Sequence, residues 1–195
     1  MARALLFTGA KKVGKTTAVR NIATRLGSER FVGFFAIEQR IDGQRVGFDI
    51  EMMDGRTGPL ASIDSTSDMR VGRILKDGRG KYGVDLDFLN DVAVPALRSA
   101  VSEQHTERVL LIDEIGAMQL YSEPFRQLVL EALTSSCLLL GTLMLPSEPW
   151  VDTLKARDDV ETFLLTPQNR NSMTEMMSLY LERCLIPLSA DHVAL

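Results

Sequence analysis

Two cysteines, two histidines and one tryptophan in 195 residues leave little room for several kinds of chemistry. Cys137 and Cys184 have neither disulfide-framework density nor metal-ligand spacing, so both are expected to be structural thiols of a reducing cytoplasm. His105 falls in a polar helix end and His192 in the tail, and neither suggests a metal ligand or a catalytic base. Long apolar runs are missing too. The longest, Cys137 to Leu145, is far below the roughly 18 residues that a membrane span needs, and Met1 to Ala10 belongs to a strand and loop. A soluble, unexported, cytoplasmic protein with no membrane partner is the expectation. Net charge is only −4 and the basic residues are scattered among acids, which argues against nucleic acid as a partner. No Pro/Ser/Gly-rich linker, low-complexity tract or repeat divides the chain, so one domain covering residues 1–195 is the simplest reading.

What is present starts with Gly9-Ala10-Lys11-Lys12-Val13-Gly14-Lys15-Thr16, which fills every fixed position of the phosphate-loop pattern G-x-x-x-x-G-K-[ST]. Glycines let backbone N–H groups curl round phosphate oxygens, Lys15 supplies a cation to the β and γ phosphates, and the Thr16 hydroxyl ligates Mg²⁺. The surroundings agree with the pattern. Ala4 to Phe7 is a short apolar run ending at Thr8-Gly9, as a buried parallel strand should, and Thr17 to Leu26 reads as a helix. The helix N-terminus adds unpaired N–H groups and the positive end of its dipole.

Phe31 to Arg40 and Arg45 to Met53 are β-rich runs joined by Ile41-Asp42-Gly43-Gln44, whose Asp-Gly pair suits a tight hairpin. Leu60 to Ile63 reads as a short strand, and Asp64 to Gly83, where glycine and charge dominate, as an exposed loop. Asp85 is placed to cap a helix from Leu86 to about Gln104, kinked or divided at Pro95. A βα alternation then follows: a strand from Arg108, a helix capped by Ser122 with Pro124 in its first turn and running to about Ser135, a strand from Cys137 to Leu143, a short helix from Trp150 to Arg157, and a strand from Thr162 to Leu165. Ser172-x-x-Glu175 reads as a capping box opening a last helix to about Cys184, and Met173, Met176 and Met177 as its core-facing residues. The fold class is α/β, with a mostly parallel sheet flanked by helices and an antiparallel addition.

Val109-Leu110-Leu111-Ile112-Asp113-Glu114 is an apolar strand delivering two carboxylates at its C-terminal edge, the Walker B pattern. Asp113 is expected to support Mg²⁺ and Glu114 to orient and polarise the water that attacks the γ phosphate. A water-directing Glu favours hydrolysis over phosphoryl transfer. Asp113-Glu114-Ile115-Gly116 also satisfies D-x-x-G, whose glycine N–H can meet the γ phosphate, but no [NT]-K-x-D guanine reader is present. GTP is then one possible triphosphate among several. Charge developing in the transition state calls for an arginine, and Arg40, Arg45, Arg56 and Arg170 are the candidates in this chain. Two alternatives stay open: a nucleotide or small-molecule kinase closed by the loop bearing Arg70, Arg73 and Arg79, and a nucleotide-dependent switch for a protein partner whose identity the residues do not give.

With these residues in hand, the chain resembles the thermophile-type nucleoside-triphosphatases of the P-loop class. The resemblance is nearly full length. It rests on the phosphate loop, on Gly33-Phe34 with Glu38 and Arg40, on Gly43, Arg45 and Gly47-Phe48-Asp49-Ile50, on Lys81-Tyr82-Gly83-Val84, on Asp113 to Gly116 with Met118 and Leu120, and on Asn169-Arg170. It implies a RecA-like sheet and Mg²⁺-dependent hydrolysis of ATP, GTP and other nucleoside triphosphates with loose base selectivity. It also implies that Gly9 to Thr17, Val109 to Gly116, Asn169 and Arg170 surround the nucleotide, with Lys15, Glu114, Arg40 and Arg45 acting in catalysis. Two departures stand out: Ala117 and Gln119 where the family usually has Lys and Glu, and Ala10-Lys11-Lys12 where prolines are common.

Overall fold

The structure, a computed structural model, describes residues 2–102 and 108–185. His105, His192 and the expected helix end at Gln104 lie outside the described residues. One nine-stranded sheet runs through the molecule. Its strands are β1 (Ala4–Gly9), β2 (Phe31–Ile41), β3 (Gln44–Met52), β4 (Thr57–Ser62), β5 (Arg70–Ile74), β6 (Gly80–Val84), β7 (Val109–Ile115), β8 (Leu138–Leu143) and β9 (Val160–Leu165), in the order β5-β6-β4-β3-β2-β7-β8-β1-β9. The half from β2 to β9 is parallel, and β3, β4, β6 and β5 extend it in antiparallel pairs.

The inner strands of the parallel half, β1, β7 and β8, are buried on both faces, which is why they read as continuous apolar runs. Leu5 and Phe7 point to one face, where Ala18, Val19, Ile22 and Ala23 of α1 (Lys15–Leu26) and Met177, Leu181 and Leu185 of α5 (Arg170–Leu185) cover them. Ala4 and Leu6 point to the other. There they meet α2 (Val94–Ser102), α3 (Glu123–Thr134) and α4 (Pro149–Lys155) through Leu97, Phe125, Leu128 and Leu154. Each of these large side chains contributes about 1.5–3 kcal/mol by leaving water, so the three-layer packing fixes the strand ends on which the site is built.

Several local expectations hold for stated reasons. Asp42 (φ 48°) and Gly43 (φ 75°) form the two-residue hairpin turn between β2 and β3, the conformation that Asp-Gly admits cheaply. Ser122 accepts a hydrogen bond from the Phe125 N–H at 3.0 Å and starts α3 with Pro124 in its first turn.

Four expectations need correction. Residues 64–83 are not one loop but contain the β5–β6 hairpin, whose charged, glycine-interrupted strand is typical of a sheet edge. The helix after Asp85 holds a π turn, Leu89–Ala93, in which the Val94 N–H bonds the Leu89 carbonyl. That widening makes room just ahead of Pro95, which has no N–H and crowds the preceding turn. The capping box lies six residues earlier than Ser172: Thr166 Oγ1 accepts from the Asn169 N–H at 3.2 Å while Asn169 Oδ1 accepts from the Thr166 N–H at 2.8 Å. Ser172 is inside α5 and bonds back to the Asn169 carbonyl. Met177 is core and Met173 packs against it, but Met176 is exposed.

Candidate active site

Loop, acids and a late arginine meet at the C-terminal edge of the parallel strands, where helix N-termini and strand ends leave backbone groups free for a ligand. The loop from Gly9 to Gly14 joins β1 to α1, with Gly9 at φ 152° and Gly14 at φ 106°. A Cβ on Gly9 would lie 2.7 Å from the Leu165 carbonyl oxygen and 3.1 Å from Val13 Cγ1, so the turn accepts only glycine there. Ala10, Lys11 and Lys12 are exposed, Val13 is anchored in the core, and Lys12 (φ 65°) takes a left-handed conformation within the loop. Thr17 is exposed on the first turn of α1.

Lys15 folds back over this loop. Its ammonium donates to the Gly9 carbonyl at 3.3 Å and lies 3.5 Å from Glu114 Oε1. Val109, Leu110, Leu111 and Ile112 are wholly or almost wholly buried in β7, with Ile115 and Gly116 buried beyond them, so the strand is a rigid arm that carries Asp113 and Glu114 to the edge. Asp113 is only 2% exposed. Its Oδ1 accepts the Thr142 hydroxyl at 2.5 Å and its Oδ2 has no partner among the described residues. Burial pushes the Asp113 carboxyl above the ordinary range, against the opposing pull of Thr142, Thr16 and the Lys15 charge. Glu114 is also raised, first by burial, then opposed by Lys15 and reinforced by the charge of Asp113. Two neighbouring acids with one cation between them are chemically poised: a ligand that takes Lys15 leaves Glu114 a stronger base.

Arg170 reaches the loop from the opposite side. Its Nη1 donates to the Val13 carbonyl at 3.4 Å, and the guanidinium stands 3.6 Å from where a Cβ on Gly14 would be. The Thr166–Asn169 box puts it there, and Asn169 also donates to the Leu164 carbonyl at 2.9 Å. Both polar ends of the Asn169 amide are thus engaged in shaping this turn.

The profile of the NTPase family matches residues 4–177 of the chain. The nucleoside-triphosphatase THEP1 of a Thermotoga strain is 38% identical over 90% of this chain and 94% of its own, and the human cancer-related nucleoside-triphosphatase 37% over 89% and 93%. The chain belongs to this nucleoside-triphosphatase family. The crystal structure of THEP1 from Aquifex aeolicus superposes with a TM-score of 0.81 at 33% identity, covering 92% of this chain and 99% of that one. The solution structure of the human cancer-related enzyme gives 0.75 at 34% identity over 93% and 98%. The sheet and its flanking helices are therefore a P-loop NTPase fold, and the chain is an NTP-hydrolysing enzyme of this family.

Within the NTPase, the structure brings together Lys15, Thr16, Asp113, Glu114 and Arg170 and sets Arg40 and Arg45 apart. Phe35 is level with Asp113 in the register of β2 and β7, and Arg40 lies five residues further along β2, roughly 16 Å past that level at about 3.3 Å per residue. There both Arg40 and Arg45 bond Glu38, and Arg45 Nε donates to the Tyr82 hydroxyl at 3.0 Å. Arg56 pairs with Asp54 in the β3–β4 turn. Ala117 is exposed, and Gln119 is fully buried with both ends of its amide unpartnered among the described residues. Two contributors escape a reading of the sequence alone: Thr142, on a strand that carries no motif, and Arg20. The Arg20 guanidinium lies 3.9 Å over the Phe35 ring and bonds Glu51 at 2.5 Å, one helical turn after Thr16.

Proposed function

We propose that this NTPase is a single cytoplasmic domain that hydrolyses ATP, GTP and other nucleoside triphosphates to diphosphate and phosphate, with Mg²⁺ and with loose base selectivity. The observation that carries the reading is the 3.5 Å approach of Lys15 to Glu114 at the mouth of the loop. That pairing supports the reading of Lys15 as the cation for the γ phosphate and of Glu114 as the acid that directs water at it. The residues also fit a divalent cation: Asp113 keeps one buried oxygen without a partner, and the Thr16 hydroxyl lies beside that carboxylate. Thr16 and Asp113 would hold Mg²⁺, which when bound screens the phosphate charge.

In this reading the loop N–H groups and Lys15 hold the β and γ phosphates, drawing Lys15 away from Glu114. Freed of its counter-ion, Glu114 accepts a hydrogen bond from a water on the γ phosphate and polarises it for in-line attack. Arg170, already against Val13 and Gly14, meets the charge that builds on the γ-phosphate oxygens. A kinase lid built on Arg70, Arg73 and Arg79 has less support. The Arg70 guanidinium is engaged within its own hairpin by the carbonyls of Ser65, Ser67, Gly80 and Lys81, and Arg79 pairs with Asp77. Phosphate release and nucleotide affinity of Glu114→Gln test the assignment: release should fall by about a hundredfold or more with affinity kept. Undiminished release from a folded variant removes Glu114 from this role, and dependence of ATP consumption on an added acceptor replaces hydrolysis with transfer.

A further inference from the structure

The segment that follows Glu114 is bonded at its ends and not in its middle. After Gly116 the chain makes a one-turn 3₁₀ helix, Gln119–Tyr121, and passes directly into α3. The Gly116 carbonyl accepts the Leu120 N–H at 3.1 Å, and at the far end the Tyr121 hydroxyl donates to the Arg70 carbonyl of the β5–β6 hairpin at 3.2 Å. Leu120 belongs to the core and Met118 packs against it. Gln119 is 0% exposed, yet neither its amide nitrogen nor its amide oxygen has a partner among the described residues. An amide taken out of water costs free energy at each end that goes unmet, and an apolar side chain of the same length escapes that cost. Gln119 therefore makes this turn less stable than its packing allows, which is understandable if the turn has a second arrangement in which the amide is partnered.

The neighbours indicate what drives the exchange. The Glu114 carboxylate rests against Gly116, where a Cβ would lie 2.9 Å from Glu114 Oε2. Glu114 is in turn 3.5 Å from Lys15, the cation that a γ phosphate draws off. We propose that the turn of residues 117–121 responds to the γ phosphate and that Gln119 is its positioning residue: when Glu114 leaves Lys15 the turn re-seats, the Gln119 amide gains partners, and Glu114 is held for the attacking water. A diphosphate has no γ phosphate and leaves the turn as it stands here. A ligand shifts an equilibrium only by its differential affinity for the two states, so the unmet amide of the free state becomes a preference for triphosphate over diphosphate. The proposal rests on the reading of Lys15 and Glu114. It goes beyond it by giving discrimination between substrate and product to a residue outside the phosphate loop and the acid pair.

The test uses the full chain. Gln119→Met and Gln119→Leu keep a side chain of similar size and remove both polar ends. Without nucleotide, the melting temperature should rise by about 2–4 °C, the shift that relief of one unmet polar end gives in a chain of this length. The variant that melts higher is then titrated by fluorescence, in Mg²⁺, with an N-methylanthraniloyl-labelled non-hydrolysable ATP analogue and with labelled ADP. Its affinity for the analogue should fall about tenfold, as for the loss of one buried hydrogen bond, while its affinity for ADP stays within about twofold of the parent. A residue with a merely structural role moves both affinities together. Lower or unchanged melting in both variants, failure to fold included, overturns the proposal, and so does a parent-like ratio of the two affinities. Full hydrolysis by Glu114→Gln overturns the reading of Glu114 beneath it, and the role of Gln119 with it.

Discussion

Replacing Arg170 by alanine should slow phosphate release by about a hundredfold or more while leaving the fold nearly untouched. In this structure the side chain is solvent-exposed and its bond to the Val13 carbonyl is a long one, at 3.4 Å. Removing it should cost stability no more than about 0.5 kcal/mol. A hundredfold rate loss, by contrast, is about 2.7 kcal/mol of transition-state stabilisation. The two costs separate cleanly, and Asn169 supplies the control. Asn169→Ala removes bonds of 2.8 and 2.9 Å that close the turn before α5, which should lower stability by about 1–3 kcal/mol. Because Asn169 has both amide ends engaged in that turn, its effect on rate should pass through Arg170. Stopped-flow phosphate release and urea unfolding on both single variants and the double variant form the assay. The double variant should be as slow as Arg170→Ala and as unstable as Asn169→Ala. Wild-type kcat for Arg170→Ala, or rate losses that multiply in the double variant, would refute the reasoning.

Gly9→Ala should abolish tight nucleotide binding and destabilise the chain by about 1–3 kcal/mol, since the added methyl meets the Leu165 carbonyl at 2.7 Å in a backbone conformation that L residues avoid. Calorimetric titration with ATP and thermal melting check both. At the hairpin tip, burial acts to raise the Glu38 carboxyl, but the hydrogen bonds and charges of Arg40 and Arg45 outweigh it, and its pKa is lowered below 4.5. A depressed carboxyl contributes stability above its unfolded value and loses it as pH falls through the folded one. Glu38→Gln should therefore cost under about 1 kcal/mol at pH 7, the group being a third exposed, and the difference from the parent should shrink as pH falls through the acid carboxylate range in denaturant titrations.

How far the sequence revealed the fold depended on whether a signal was local. The loop, the apolar strands that alternate with helices, the Asp-Gly turn and the Ser122 cap each concern residues within a few positions of one another, and each is where the pattern places it. The β5–β6 hairpin was illegible because its pairing is between Arg70–Ile74 and Gly80–Val84, with glycine and charge in both, and an edge strand buries too little to impose alternation. At Ser172-x-x-Glu175 the box pattern was present without the geometry. Thr166 and Asn169 took the role because Arg170 is already the first residue of α5, and a cap must precede the turn it closes.

The site divides along the same line. Lys15, Thr16, Asp113 and Glu114 belong to motifs whose spacing is fixed by one turn or one strand end, so their types and order suffice to find them. Arg40 and Arg45 matched a family pattern equally well, yet β2 carries them past the sheet edge into a cluster around Glu38, a length effect that residue types do not encode. Thr142 is the converse case. Nothing in Leu138 to Leu143 marks a hydroxyl as special, and its meaning comes from the strand order β7-β8-β1, which sets it beside an acid 29 residues away. Polar residues that end a buried strand next to a carboxylate-bearing strand are therefore worth testing even where no motif names them, because a buried acid needs a donor and a neighbouring strand end can supply one without water.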